Sequence, residues 1–334
     1  FDPDTWRARS TAGGKTMKKV LVTGASGRIG RHVVPLLLEN GYQVRVAVHS
    51  TALPASWAHE VESVASDAAI SEVIGDTDSI IHLAGIMPPA SDDEVFRTNI
   101  ERTYLLLQAA AARPRKPRVI FASSDATYCT GWSLTGYSQP IEEDATEQRP
   151  TVFYGLSKVV GERLCVFYNE IRKVPIVRLR FVWTLEPAEI LDLFTTAPYK
   201  EFLIKEDAGN WSKPGVISTP LEEDGTPFTE HTCDVRDAAQ AVLGALRSDT
   251  APGHAINVAG PASFRYVDVA PQVARRMNGE AVQARCAGIH SYVINIEKAR
   301  RLLDFRPRYK VEDSLEDAFR TAWPVSSAPI LSPI

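Results

Sequence analysis

The stretch VLVTGASGRIG, Val20–Gly30, restricts what this chain can fold into more than any other. A run of β-branched and small apolar residues reads as a buried strand, and it breaks into Gly24, Gly27 and Gly30 where a helical pattern begins. Strand, tight turn and helix N-terminus in succession leave backbone N–H groups and the positive end of a helix dipole pointing at one place, which is a seat for an anion. In that setting the triplet reads as a dinucleotide pyrophosphate cradle rather than a plain tight turn, its glycines allowing the sharp bend and the close approach of the phosphates.

From Met17 onward, short β-branched runs alternate with longer helical stretches. Strands are predicted at KKVLVTG (18–24), YQVRVAVHS (42–50), DSIIHLAG (78–85), PRVIFASS (117–124) and VPIVRLRFV (174–182), and helices at RIGRHVVPLLLENG (28–41) and DDEVFRTNIERTYLLLQAAAA (92–112). Strand then helix, repeated, means a parallel sheet covered on both faces, the doubly wound α/β class. Past Thr184 the rhythm fails in a segment rich in Pro, Gly and charge, the composition of a surface elaboration or a ligand-facing subdomain. DVRDAAQAVLGALRS (234–248) then reads as a helix capped by Asp234 or Asp237, and HAINVAG (254–260) as a further strand. Residues 17–184 are expected to form the dinucleotide-binding sheet domain and 185–330 mainly a smaller α/β substrate lobe, with 234–260 returning to the sheet. Residues 1–16, which precede Met17, read as a remnant of expression outside the fold.

A net charge of −4 offers no basic field for a phosphate backbone, so a small molecule is expected as ligand and nucleic acid is not. Cys129, Cys165, Cys233 and Cys286 are scattered, with no CxxC pair and no His at metal spacing, so no metal is expected and the compartment reads as the reducing cytoplasm. No run approaches the length of a membrane span.

The end of the second strand should name the dinucleotide, because an acid there takes the ribose hydroxyls of NAD. Here it reads Val48-His49-Ser50, without a carboxylate, and His49, Ser50 and Arg28 offer donors for a 2′-phosphate. The cofactor is therefore NAD(P), tilted toward NADP. Asp67 either accepts from the adenine amino group or starts a helix.

Chemistry is carried by FYGLSK, where Tyr154 and Lys158 lie four apart on a helical stretch and project from one face. An ammonium beside a phenol lowers the phenol's pKa, which suits Tyr154 to exchange a proton with a substrate hydroxyl or carbonyl. VIFASSDATY delivers Ser123 and Ser124 to the carboxyl end of a strand, where open α/β sheets bind ligands. Serine, tyrosine and lysine together make a hydride-transfer site.

With these residues in hand the chain resembles the extended short-chain dehydrogenase/reductases of the NAD-dependent epimerase/dehydratase family. The resemblance runs from Lys18 to about Ala322 through TGASGRIG, HLAG (82–85), TNIERTYLLLQAA, SSDATY, YGLSK, VRDAAQA, INVAG and NIEKARRLLDFRPRYKVEDSLEDAF. It implies a Rossmann-type doubly wound parallel sheet with a smaller C-terminal lobe, Tyr154 as acid/base, and Lys158 orienting ribose and tuning the tyrosine. It selects Ser124 over Ser123 as the group polarising the substrate oxygen, because the family serine sits four before the tyrosine aligned with Tyr128. It adds Ile29, Leu83, Ala84, Gly85 and Asn99 to the cofactor set, and implies a homodimer paired through the helices that carry Asn99 and Tyr154.

Departures from the family bear on substrate. Where nucleotide-sugar enzymes carry R-x-x-N-V-Y-G-P, this chain reads RLRFVWTLEP, so Phe181 replaces the asparagine and Trp183 the tyrosine. Both are read either as core or as substrate contacts, and the lost amide weakens the case for a nucleotide diphosphate. Ser124 is followed by Asp125 and Ala126, so the glutamate used in elimination of water is missing; Asp125 is either a substrate-facing acid or a residue holding its loop. His82 reads as a satisfied core histidine and His231 as a loop residue. The leading expectation is hydride transfer at a secondary alcohol or ketone of a carbohydrate-like substrate. The alternatives are a sugar or nucleotide-sugar epimerase that retains its cofactor, and a catalytically silent NAD(P) sensor.

Overall fold

The computed structural model describes residues 18–48, 53–57, 59–130, 137 and 140–321. The first half runs β1 (Lys19–Thr23), α1 (Gly30–Glu39), β2 (Gln43–Val48), β3 (Val61–Ala65), α2 (Ile70–Ile74), β4 (Ser79–His82), α3 (Asp92–Val95), a π-helical stretch Phe96–Glu101, α4 (Arg102–Ala112), β5 (Arg118–Ser124), α5 (Phe153–Glu170) and β6 (Ile176–Phe181). There follow β7 (Thr184–Leu185), β8 (Val216–Leu221), β9 (Thr229–Glu230), β10 (Cys233–Asp234), α6 (Val235–Arg247), β11 (Ala255–Val258), β12 (Phe264–Arg265), α7 (Tyr266–Met277), β13 (Glu280–Arg285), α8 (Glu297–Leu303) and α9 (Val311–Arg320).

Seven strands form one parallel sheet in the order β11-β6-β5-β4-β1-β2-β3. The twofold period of each strand sorts its side chains to two cores. Val20, Val22, Ile81 and Ile120 pack with Val33, Leu37, Ala241 and Val242 of α1 and α6, while Leu21, Ile80, Val119 and Phe121 pack with Leu106, Leu107, Cys165 and Tyr168 of α4 and α5. The reversal of strand order at β1 and β4 puts the glycine turn and the ends of β4 and β5 along one crevice. β3 is the one sheet strand absent from the expectations. Its sequence, VESVA, buries only Val64, as suits a sheet edge guarded by a charge at Glu62.

Beyond Thr184 a third core forms around Phe194, Tyr199, Phe228, Phe264 and Tyr266, closed by α7, α9 and the parallel pair β8 and β13. The chain re-enters the large sheet through α6 and β11, which pairs with β6. It does so again at α8, whose Ala299 and Leu303 join the core of α1 and α6. Asp234 caps α6 by accepting from Arg236 N at 2.9 Å, whereas Asp237 accepts from Arg308 N and Tyr309 N at 2.9 and 3.0 Å. Among the described residues no helix is long and apolar enough to cross a membrane.

Candidate active site

The glycine turn is built for close approach. Gly24 has φ +70°, and a Cβ there would stand 2.7 Å from Ala84 N; at Gly30 a Cβ would stand 2.3 Å from Gly24 O. Leu83 and Ala84, directly after β4, thus press on the turn. Gly27 N closes it on Gly24 O at 3.0 Å, and the N–H groups of Arg28, Ile29 and Gly30 reach no acceptor among the described residues. Three outward N–H groups at the start of a ten-residue helix fit a pyrophosphate.

Arg28 does not follow its expected role. It makes a two-pronged ion pair with Glu189, Nε to Oε2 at 2.6 Å and Nη2 to Oε1 at 2.8 Å, and His32 and Arg31 likewise engage Glu186. A fork held by a carboxylate on two prongs is not pointed at a 2′-phosphate. His49 and Ser50 lie outside the described residues. Asp67 is exposed in the turn after β3, and α2 is capped at Ala69, so Asp67 is not a helix-starting residue.

Ser124 ends β5, and α5 returns across it so that Tyr154 faces the serine. Burial, with Asp125 adding repulsion and the nearby Ser124 side chain opposing, pushes the Tyr154 phenol up to about 12. Lys158 Nζ donates to Ala122 O at 3.0 Å and lies 5.6 Å from the centres of the Tyr154 and Phe121 rings. Burial brings Lys158 down to about 8. A Cβ on Gly85 would lie 3.1 Å from Lys158 Nζ and 3.3 Å from Asn99 Oδ1, so glycine keeps this corner open.

Asn99 holds the segment after β4 in place. Its amide brackets Ile86, accepting from N and donating to O at 2.8 Å each, and also donates to Ser157 Oγ at 3.1 Å. It therefore ties the segment after β4 to α5. Phe181 falls in the core with Val177 and Leu179, because all three share one face of β6, and so it is not a substrate contact. Trp183 is half-buried against the core of the smaller lobe. His82 is buried between Thr23 Oγ1 and Thr103 Oγ1, at 2.7 and 3.0 Å, and burial, helped by Lys158, pushes it down to about 3. His231 is satisfied by Gly260 O and Ile294 N, at 3.0 and 3.1 Å.

Two groups of residues near the site were missed in the sequence. Ser123 points away from Ser124 and donates to Glu162 Oε1 at 2.6 Å; Arg180 forks onto both Glu162 oxygens at 2.8 and 2.6 Å and also bonds the Tyr128 hydroxyl. Arginines alternating inside a buried strand, VRLRF, are the signal that an internal partner must exist. The second group is Glu230, 2% exposed, which accepts from Tyr266 and Tyr199 hydroxyls at 2.5 and 3.3 Å. Burial pushes Glu230 up to about 7, the two tyrosines opposing and Asp125 adding to the rise; burial also raises Asp125 to about 6.

The Glu230 shift has a thermodynamic consequence. A carboxyl whose folded pKa is above its unfolded value holds its proton better when folded, so stability falls as pH rises from about 4.5 to about 7. Glu230→Gln removes that titration, and relative to the parent it should gain about 2–3 kcal/mol between about pH 5 and pH 8. Denaturant melts of both proteins at the two pH values measure the gain; a constant difference would mean that Glu230 is ionised throughout.

The family model for the NAD-dependent epimerase/dehydratase family matches residues 20–259. The chain belongs to that family. It is 29% identical over 206 residues to a uronate dehydrogenase of Pseudomonas putida, covering 60% of this chain and 74% of that protein. It is 28% identical over 212 residues to L-arabinose 1-dehydrogenase (NAD(P)(+)) of Haloferax volcanii, covering 60% and 79%. A solved short-chain dehydrogenase/reductase superfamily protein from Agrobacterium tumefaciens, with bound NAD, superimposes with a TM-score of 0.76 at 28% identity over 90% of this chain and 96% of that one.

Proposed function

We propose that this enzyme moves hydride between a nicotinamide dinucleotide and a secondary alcohol or ketone carbon of a small carbohydrate-like substrate. The observation that carries the reading is the convergence of Ser124, Tyr154 and Lys158 at the carboxyl end of β5, beside a turn with three outward N–H groups. When bound, the dinucleotide supplies or accepts the hydride. A phenol near 12 is protonated at neutral pH and ready to donate to a carbonyl oxygen. In the oxidising direction Tyr154 must take a proton, and the Lys158 ammonium in the same low-dielectric corner stabilises the developing phenolate. Ser124 exchanges its 3.1 Å bond to Asp125 for one to the substrate oxygen.

With Arg28 held by Glu189 and NAD present in the Agrobacterium structure, our assignment is NAD as working cofactor, with NADP tolerated because no carboxylate ends β2. The test is the near-ultraviolet absorbance of reduced nicotinamide with each dinucleotide and a panel of sugars and sugar acids. Net oxidation or reduction supports the reading; a product of changed configuration without net redox change replaces it with epimerisation.

A homodimer fits the same surface. The π-helical stretch with α4, and α5 beside them, present Phe96, Tyr104, Leu156, Phe167 and Ile171 to solvent, an apolar area of the kind that marks an interface. Light scattering on the parent should give twice the chain mass, and Phe167→Glu should give the monomer; a monomeric parent removes the proposal.

A further inference from the structure

The hydride reading fixes one end of the substrate at Tyr154 and Ser124, and the chain's own charges decide what the other end can be. Asp125 follows Ser124 directly, and its buried carboxyl accepts from Ser124 Oγ and Thr130 Oγ1 at 3.1 and 2.5 Å. Glu230 arrives from the smaller lobe at the same end of the sheet. Ser124 is in register with Phe181 of β6, Trp183 lies two residues on, and Trp183 O accepts from Cys233 N at 3.1 Å, three residues past Glu230. Both tyrosine donors use Oε2 of Glu230; Oε1 accepts no hydrogen bond among the described residues, although the residue is 2% exposed. Burial, with Glu230 and Asp125 adding to it, raises the phenol of Tyr292.

What is missing, among the described residues, is a cation paired with either carboxyl. Among the described residues no lysine or arginine pairs with either Asp125 or Glu230, and the only charged group acting on Glu230 is Asp125. A carboxylate or phosphate substituent needs a cation or several donors to replace its hydration, whereas a sugar hydroxyl is satisfied by a carboxyl group, neutral or ionised.

We propose that Asp125 and Glu230 form a two-carboxyl subsite that binds hydroxyls of an uncharged polyhydroxy substrate and turns away uronates and sugar phosphates. The inference rests on the hydride reading above and names its substrate class.

Initial rates with the full chain and NAD, on L-arabinose, D-galactose, D-galacturonate, D-glucuronate and D-glucose 6-phosphate, test it. The neutral sugars should exceed the charged ones in kcat/KM by about 100-fold, the discrimination expected of like charges brought together in a dry site. Glu230→Gln and Asp125→Asn should each raise KM for the neutral sugars and move the neutral-to-uronate ratio by about tenfold toward the uronates. Calorimetric binding of the same sugars to the protein saturated with NADH repeats the comparison without turnover. Uronates bound or turned over as well as neutral sugars overturn the charge selection and leave the hydride reading standing. Neutral sugars bound in preference, with no change in nicotinamide absorbance for any of them, uphold the selection and sink the hydride reading instead.

Discussion

Tyr154→Phe should lower kcat by about a thousandfold or more while changing dinucleotide affinity by less than about threefold, because it removes the proton donor and leaves the ring. Among the described residues, the Tyr154 hydroxyl makes no hydrogen bond to the glycine turn. Removing it therefore touches the chemical step alone. Steady-state rates with the best substrate, paired with fluorescence titration of NADH, separate the two quantities. A variant with more than about a tenth of the parent kcat would take Tyr154 out of the mechanism, since positioned acid–base groups supply about 10²–10⁴-fold. Equal losses in rate and dinucleotide affinity would instead make it a structural residue.

Arg180→Leu should cost about 3–5 kcal/mol of stability, the usual penalty for stripping one partner from a buried ion pair. Glu162 is 2% exposed and Arg180 is 5% exposed, so neither charge has water to fall back on. Burial alone would raise the Glu162 carboxyl, and the guanidinium reverses this and holds it below the ordinary carboxylate range. Without Arg180, the oxygens of Glu162 keep Ser123 and Gln148 at 2.6 and 3.1 Å, with the Arg178 guanidinium farther off at 3.9 Å. The midpoint of a thermal melt should fall by roughly 10 °C at these magnitudes. Adding Glu162→Gln should restore about half of the loss, because the uncompensated charge goes with it. A single variant that melts within about 2 °C of the parent would show that the carboxylate finds other solvation.

The parts of this molecule that were legible in the sequence are those where local pattern carries the information. Strands β1, β2, β4, β5 and β6 announce themselves by β-branched runs, and Tyr154 and Lys158 by a spacing that a helix turns into a shared face. β3 was not legible, because an edge strand that buries one valine needs no apolar run. Phe181 was readable in hindsight, since β6 alternates Val177, Leu179 and Phe181 against Arg178 and Arg180. Arg28 was not: its partner Glu189 lies 161 residues away, and no local signal says that a lobe built later in the chain will claim that guanidinium. Glu230 was hidden for the same reason, its two tyrosines coming from separate stretches of the smaller lobe.

The return of α6, β11 and α8 to the large sheet has a bearing on how the protein can be taken apart. A fragment ending at Thr184 would keep six sheet strands but lose the seventh, baring the edge of β6 and the apolar flank of α1 that Ala238, Ala241 and Val242 now cover. Such a piece is a poor candidate for independent expression. The smaller lobe is spliced into the sheet domain in instalments, with both ends of each instalment anchored on a shared frame. Chimeras that exchange 185–232 with a relative therefore keep every strand of the large sheet in place.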